Sequence, residues 1–382
     1  MDFEWTEAQL KLRAQVVDFA RRELNDDVVA RDQGSQFPRD LWDKCARFGI
    51  LGLCFPQEYG GQGKDVLTTI LAMEALGYGC KDNGLTGALN GQMWSIQEPI
   101  LSFGTEAQKR KFLPGLCNGT LLGAHGMTEP ESGSDAFSLR TRAERRDGGY
   151  VLNGSKTMIG LAPVCDVAIV FATTDPSLGR WGISAFLVES GTTGFRASKA
   201  LKKLGMRTNP TGELTLEDCF VPAENRLGPE GAGVSIFSVS MEWERSFIFA
   251  SHVGAMERQL EDAIAYAKER RQFGQPIDKF QSVPNRIADM KVRLETARLH
   301  LYKAAWLKAS GMSAALQSAI SKLHISEAFV QSSLDAIAIL GGKGYLTDTG
   351  IERDMRDATG GVLYTGTSDI QRVVIARLLG LG

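Results

Sequence analysis

The sequence predicts a mainly helical α+β protein, with a helical N-terminal domain, a middle antiparallel β domain and a C-terminal four-helix bundle. Three observations predict it. Over residues 1 to about 120, apolar residues recur at three- and four-residue spacing. From about 121 to 232, short β-type runs separated by turn residues replace that period. From 233 to the end, the helical period returns in long stretches. A chain of 382 residues is also too long for one ordinary core. The predicted domains are 1–120, 121–232 and 233–382.

In the first zone the period places helices over Glu7 to Leu24, Leu41 to Phe48, Thr68 to Leu76 and Ala107 to Leu113. The run Phe55-Pro56-Gln57-Glu58-Tyr59-Gly60-Gly61 punctuates them. In the second zone the strand candidates are Tyr150 to Asn153, Val167 to Phe171, Ser184 to Val188 and Glu213 to Leu216. Asp147-Gly148-Gly149 and Asn153-Gly154 supply turns, and no helix alternates with the strands, so a βαβ sheet is not expected. In the third zone Glu257 to Arg271, Ser282 to Ser310 and Ser313 to Leu340 read as long bundle helices.

Composition narrows the function. The net charge of −2 gives no basic footprint for nucleic acid. No apolar run is long enough to span a membrane. The start, Met1-Asp2-Phe3-Glu4-Trp5, carries acids where a secretion signal needs bases, which predicts a cytoplasmic protein. The six cysteines are scattered without a CxxC pair and read as reduced thiols, and the four histidines show no ligand spacing, so no metal is expected. Three common nucleotide and hydrolase signatures are missing: GxGxxG after a strand, GxxxxGK[ST] and GxSxG.

Five segments carry a chemical reading. Met127-Thr128-Glu129-Pro130-Glu131-Ser132-Gly133-Ser134-Asp135 is dense in groups that can converge on an anion or a polar ring edge, although alone it also reads as a solvated turn. Glu269 to Ile277 places Arg270 and Arg271 in the last turn of a helix ending at Gly274 and Pro276. There they can answer the helix dipole or clamp a pyrophosphate. Ile339 to Tyr345 has three glycines in four positions, more than a helix cap needs. Tyr364 to Arg372 opens the last helix with a Thr/Ser/Asp cluster, an N-cap signal that also suits anion contact. In Ser240 to Ile248, Glu242 and Glu244 lie two residues apart on a helix and point to nearly opposite faces. One of them is therefore expected to face an interior or cleft, where desolvation makes a carboxylate a usable base, or to form a buried pair with a nearby Arg.

Taken in order, these segments resemble the acyl-CoA dehydrogenase family over essentially the whole chain. TEPxSGSD, RRQFGxPI, the GGxGY turn and the YxGTSDIQR ending carry the resemblance. It implies FAD as cofactor, α,β-dehydrogenation of an acyl thioester, and a homotetramer, or sometimes a homodimer, that shares FAD between subunits. It implies that Met127, Thr128, Gly133 and Ser134 lie along the flavin, with Met158 and Gly160 flanking it. Arg270, Phe273, Gln281, Gly341 and Gly342 would contact the FAD of a neighbouring subunit, and Thr367 and Asp369 its adenosine half. Tyr364, Thr365 and Gly366 would border the substrate. The carbonyl oxygen would be held by a backbone N–H of the final motif and a flavin ribose hydroxyl.

Two positions depart from the family pattern. Most relatives place the catalytic Glu directly before the Gly-Thr of the final motif, where this chain has Thr365, which cannot act as a base. An isovaleryl-type subgroup takes its Glu from the helix that opens the C-terminal bundle, directly before an Arg. Glu244-Arg245 matches that pattern, so Glu244 is the expected base, with Arg245 as support. The aromatic and the Thr that usually flank the flavin read here as Met158 and Gly160, which removes a hydroxyl often bonded to flavin N5. Trp243-Glu244 and Phe280 to Ile287 are similar to dehydrogenases of secondary metabolism that act on acyl or aminoacyl groups, prolyl among them, tethered to a carrier protein. Free CoA thioesters remain the other substrate class. The electron acceptor is an electron-transfer flavoprotein or, in an oxidase, O2. A flavin-free scaffold is the non-catalytic alternative, against which Glu244 argues.

Overall fold

The computed structural model describes residues 4–381. Met1, Asp2 and Phe3, on which the reading of the N-terminus partly rests, lie outside them. The N-terminal zone is helical: α1 Glu7–Glu23, α2 Val28–Gly34, α3 Arg39–Phe48, α4 Val66–Gly79, α5 Asn83–Gly91, a π-helical stretch Gln92–Gln97, α6 Glu98–Phe103 and α7 Glu106–Cys117. Local caps set two of these starts. Thr6 and Gln9 form a capping box ahead of α1, and Asp65 accepts from Thr68 N at 2.8 Å ahead of α4.

Eight strands follow: β1 Gly123–Gly126, β2 Arg142–Arg146, β3 Gly149–Gly160, β4 Val167–Thr173, β5 Ile183–Glu189, β6 Phe195–Ala197, β7 Thr211–Pro222 and β8 Arg226–Leu227. They form one sheet in the order β6-β7-β3-β2-β4-β5-β8, with β1 beside β4. Most neighbours are antiparallel, as the sequence predicts, yet the sheet is mixed. β1 runs parallel to β4, pairing Gly123 with Val167 through Gly126 with Val170. The chain reaches β1 directly from α7 and returns to β4 only after β2 and β3, so no hairpin constrains that pair. Val167, Ile169 and Phe171 face one core of the sheet, and Ala168, Val170 and Ala172 face the other. Burial on both faces accounts for the unbroken apolar run of β4.

The C-terminal zone holds α8 Gly233–Phe247, α9 Ala250–Glu269, α10 Ser282–Ala309, α11 Ala315–Leu340, α12 Ile351–Gly361 and α13 Ser368–Leu378. The expected end of α9 needs correction. The helix stops at Glu269, Arg270 is already extended, and Arg271–Gln272 pairs with Gln275–Pro276 in a hairpin. Phe273 and Gly274 both have left-handed backbone there, the pattern of a tight two-residue hairpin turn. Arg270 and Arg271 are therefore not in a helical last turn.

The helices of the N-terminal and C-terminal zones share one core: Leu24, Trp42, Leu76 and Trp94 pack with Val253, Leu301 and Phe329. α4 is buried almost all round, packed against α1 and α9. Among the described residues no helix is long and apolar enough to cross a membrane. All six cysteines are free, and all but Cys54 are buried.

Candidate active site

The two carboxylates of α8 diverge as their spacing requires. Glu242 pairs with Lys308 Nζ at 2.5 Å and accepts from Ala314 N at 3.1 Å. It is committed to tying α8 to the α10–α11 connection. Among the described residues Glu244 forms no ion pair, and it takes two hydroxyls instead. Ser95 Oγ donates to one carboxylate oxygen at 2.7 Å, and Thr365 Oγ1 donates to the other at 2.6 Å. Arg245 does not pair with Glu244, contrary to the buried-pair alternative. Its Nε donates to the Thr365 carbonyl at 3.2 Å, and so it fixes the turn that carries the Thr365 hydroxyl.

That turn is held from several sides. Thr365 has φ +60°, and Gln371 Nε2 donates to the carbonyls of Thr365 and Gly366 at 3.3 and 3.0 Å. The Thr365 and Gly366 N–H groups donate to no acceptor among the described residues. Tyr364 stacks on Phe249 at 5.5 Å, and its hydroxyl is pushed up by burial and then by the charge of Glu244. Lys322, fully buried and donating to the Gly361 carbonyl at 2.8 Å, is pushed down to about 8 by burial and then by Arg245. His125 in β1 is lowered by burial, against the opposing pull of Glu244. Glu244 therefore sits where α8, the π-helical stretch, β1 and the turn before α13 meet.

Next to it the 127–135 loop meets the end of β3. Thr157 N donates to the Thr128 carbonyl at 2.9 Å. Beneath them Glu129 is buried and accepts from Lys156 Nζ at 2.7 Å, Arg140 N at 2.7 Å, Thr141 N at 3.1 Å and Thr141 Oγ1 at 2.6 Å. Burial works against its charge, but Lys156 and these donors hold the carboxyl below its usual range. The result is a stiff loop whose Gly133 and Ser134 stay exposed. A register shift between Lys156 and Ile159 turns Met158 outward with φ +57°, 68% exposed.

A third surface brings two distant segments together. Arg270, Gly341 and Gly342 line a groove of about 330 Å³ with Tyr266, Ile277 and Lys343. Phe273 beside it is 93% exposed, and Gln281 at the start of α10 is exposed too. Thr367 caps α13 by accepting from Ile370 N at 3.2 Å, while Asp369 projects into solvent.

Residues 6–120, 124–219 and 231–380 match the N-terminal, middle and C-terminal domains of acyl-CoA dehydrogenases. An L-prolyl-[peptidyl-carrier protein] dehydrogenase of Pseudomonas fluorescens is 44% identical over all of both chains. The chain belongs to the acyl-CoA dehydrogenase family. Among solved structures, the prolyl acyl carrier protein oxidase AnaB is 50% identical with a TM-score of 0.98, covering 99% of this chain and 100% of that one. PigA, solved with FAD and proline, is 40% identical with a TM-score of 0.97 over all of both chains. The protein is thus an FAD-dependent oxidoreductase of the CH–CH bond of acyl thioesters.

The residues present fit FAD on physical grounds. A Cβ added at Gly133, Gly341 or Gly342 would meet nothing within 4 Å. Ser368 Oγ and Gln371 Oε1, at the start of α13, are buried without a hydrogen-bond partner among the described residues. Sequence reasoning missed Ser95. It lies in a buried helical run where its only signal was a polar residue between Trp94 and Ile96, and the π-helical turn that aims it cannot be read from periodicity.

Proposed function

We propose that Glu244 is the base that removes the α proton of a thioester-bound aminoacyl group, prolyl-like in size, carried on a carrier protein. The observation that carries the assignment of the base is the 2.6 Å hydrogen bond from Thr365 to Glu244. Thr365 stands where most of the family places its catalytic Glu, so the Glu244 carboxylate reaches the same spot from α8. Arg245 and Gln371 hold the Thr365–Gly366 turn, whose unpaired N–H groups suit the negative charge that builds on the thioester oxygen. Tyr364 and Thr365 border the acyl group. Bound FAD supplies the acceptor for the β hydrogen.

Met127, Thr128, Gly133, Ser134, Met158 and Gly160 would hold the flavin. The open groove with Arg270, Gly341 and Gly342, and the bare Phe273 and Gln281, would receive the FAD of a neighbouring subunit in a homotetramer. Thr367 and Asp369 would take its adenosine half. The three predicted domains, 1–120, 121–232 and 233–382, meet around this site, and the enzyme would work in the cytoplasm. The carrier-bound aminoacyl substrate is supported by the names of the prolyl-specific relatives. Electrons would pass to an electron-transfer flavoprotein. The name of AnaB favours O2 as a second reading, and peroxide formed at the turnover rate would decide for it.

The test is anaerobic bleaching of the flavin by prolyl-loaded carrier protein, with prolyl-CoA and butyryl-CoA alongside. Glu244→Gln should bind FAD normally and bleach about 10²–10⁴-fold more slowly. Bleaching of that variant at the parent rate would remove Glu244 as base. Faster bleaching by either CoA thioester would remove the carrier-protein assignment.

A further inference from the structure

At the end of β3, Met158 and Gly160 are both exposed, on either side of the buried Ile159. Gly160 pairs with Thr211, the first residue of β7, and the loop leading into β7 folds over it. A Cβ at Gly160 would meet only Asn209 Oδ1 in that loop, at 3.8 Å, an ordinary contact. The space above Gly160 is therefore open, and its rim is a carboxamide.

The Asn209 backbone is fully engaged. Its N–H donates to the Met206 carbonyl at 3.1 Å, and Lys203 Nζ donates to its carbonyl at 2.5 Å. Met206 N is in turn bound to Asp357 in α12 at 2.5 Å, and Leu161 N to the Pro210 carbonyl at 2.7 Å. Its side-chain Oδ1 is buried and accepts no hydrogen bond among the described residues. A buried amide oxygen without a partner costs about 1–3 kcal/mol, and such groups need an explanation. Here the backbone is pinned so that the unsatisfied amide is presented at one place.

We propose that the Asn209 carboxamide hydrogen-bonds the isoalloxazine ring of bound FAD in the space above Gly160. The inference rests on the reading that Met158 and Gly160 line the flavin. The ring edge offers both N–H donors and carbonyl acceptors, and a carboxamide can answer either. Gly160 has no side chain to do so, and Met158 brings only a thioether.

The experiment measures FAD affinity and the visible flavin spectrum of Asn209→Leu, which keeps the volume and removes both polar atoms. Gly160→Trp, which fills the space, is measured beside it. Asn209→Leu should bind FAD about tenfold more weakly and shift the flavin absorption bands without substrate present. If it fails to fold, Asn209→Ala takes its place. Parent affinity and an unshifted spectrum in the Asn209 variant, with Gly160→Trp unable to bind FAD, would overturn this inference and leave the flavin site on β3 standing. Parent behaviour in both variants would overturn the two together.

Discussion

Two sets of glycines in this chain look alike in sequence and differ in their surroundings. Where α4 crosses α9, a Cβ on Gly77 would sit 1.8 Å from the Ser251 carbonyl oxygen, and one on Gly254 would sit 1.9 Å from that of Glu74. Those glycines let two helix backbones touch, and the fold accounts for them completely. At Gly133 and Gly342 the same Cβ would meet nothing within 4 Å, and neither residue needs a left-handed backbone. The Gly341-Gly342-Lys343-Gly344 turn holds both kinds side by side. Gly344 is tight against the Ile337 carbonyl at 2.7 Å, Gly341 has φ +59° as it leaves α11, and Gly342 is explained by neither. A glycine that neither packing nor conformation requires leaves its backbone open to close approach from outside the chain.

The packing half of that comparison should break with the largest effect. Gly254→Ala drives a methyl into a backbone carbonyl that no rotamer change can move aside. Overpacking usually costs 1–3 kcal/mol, and with backbone on both sides a loss of about 3 kcal/mol or more is expected. The urea midpoint of the protein without added FAD measures it. A midpoint equal to the parent's would mean that the two helices can separate at no cost, and the α4–α9 crossing would lose its role as the fixed centre of the helical core.

The same contrast explains what was legible in the sequence. Elements with one wet face announced themselves: α1 and α3 appear within two residues of where the period places them, since their apolar stripes face a single core. α4 was read short, as Thr68 to Leu76, because a helix buried all round has no stripe to bound it. The strand candidates were read short for a related reason. β3 and β7 run to 12 residues each, but two shifts of register between them, at Leu152/Gly154 and at Lys156/Ile159, interrupt the alternation that would mark their length. In the site, Glu242 and Glu244 stood out together as charges in an apolar run, and the resemblance of Glu244-Arg245 to the isovaleryl-type pattern singled out Glu244. Ser95 was not legible, since it is an ordinary polar residue until a distant segment folds against it. Arg245 was legible as a neighbour of Glu244, but its hydrogen bond to the Thr365 carbonyl depends on a turn 120 residues away.

The ligand half of the comparison is sharpened by the mildest change. Gly342→Ala adds one methyl to an exposed turn, meets nothing in the chain and asks for no forbidden backbone. Its urea midpoint without FAD should match the parent's, within the about 0.5 kcal/mol typical of surface substitutions. FAD affinity should nevertheless fall, by about tenfold if the methyl holds the cofactor off the backbone of the groove shared with Arg270. Gly344→Ala in the same turn should behave in the opposite way, losing stability through the Ile337 carbonyl before any effect on the cofactor is measured. The two substitutions lie two residues apart and add the same atoms, so only the difference in surroundings can separate them. If Gly342→Ala binds FAD as the parent does, its open surroundings mark plain solvent, and the groove between α9 and α11 drops out of the cofactor site.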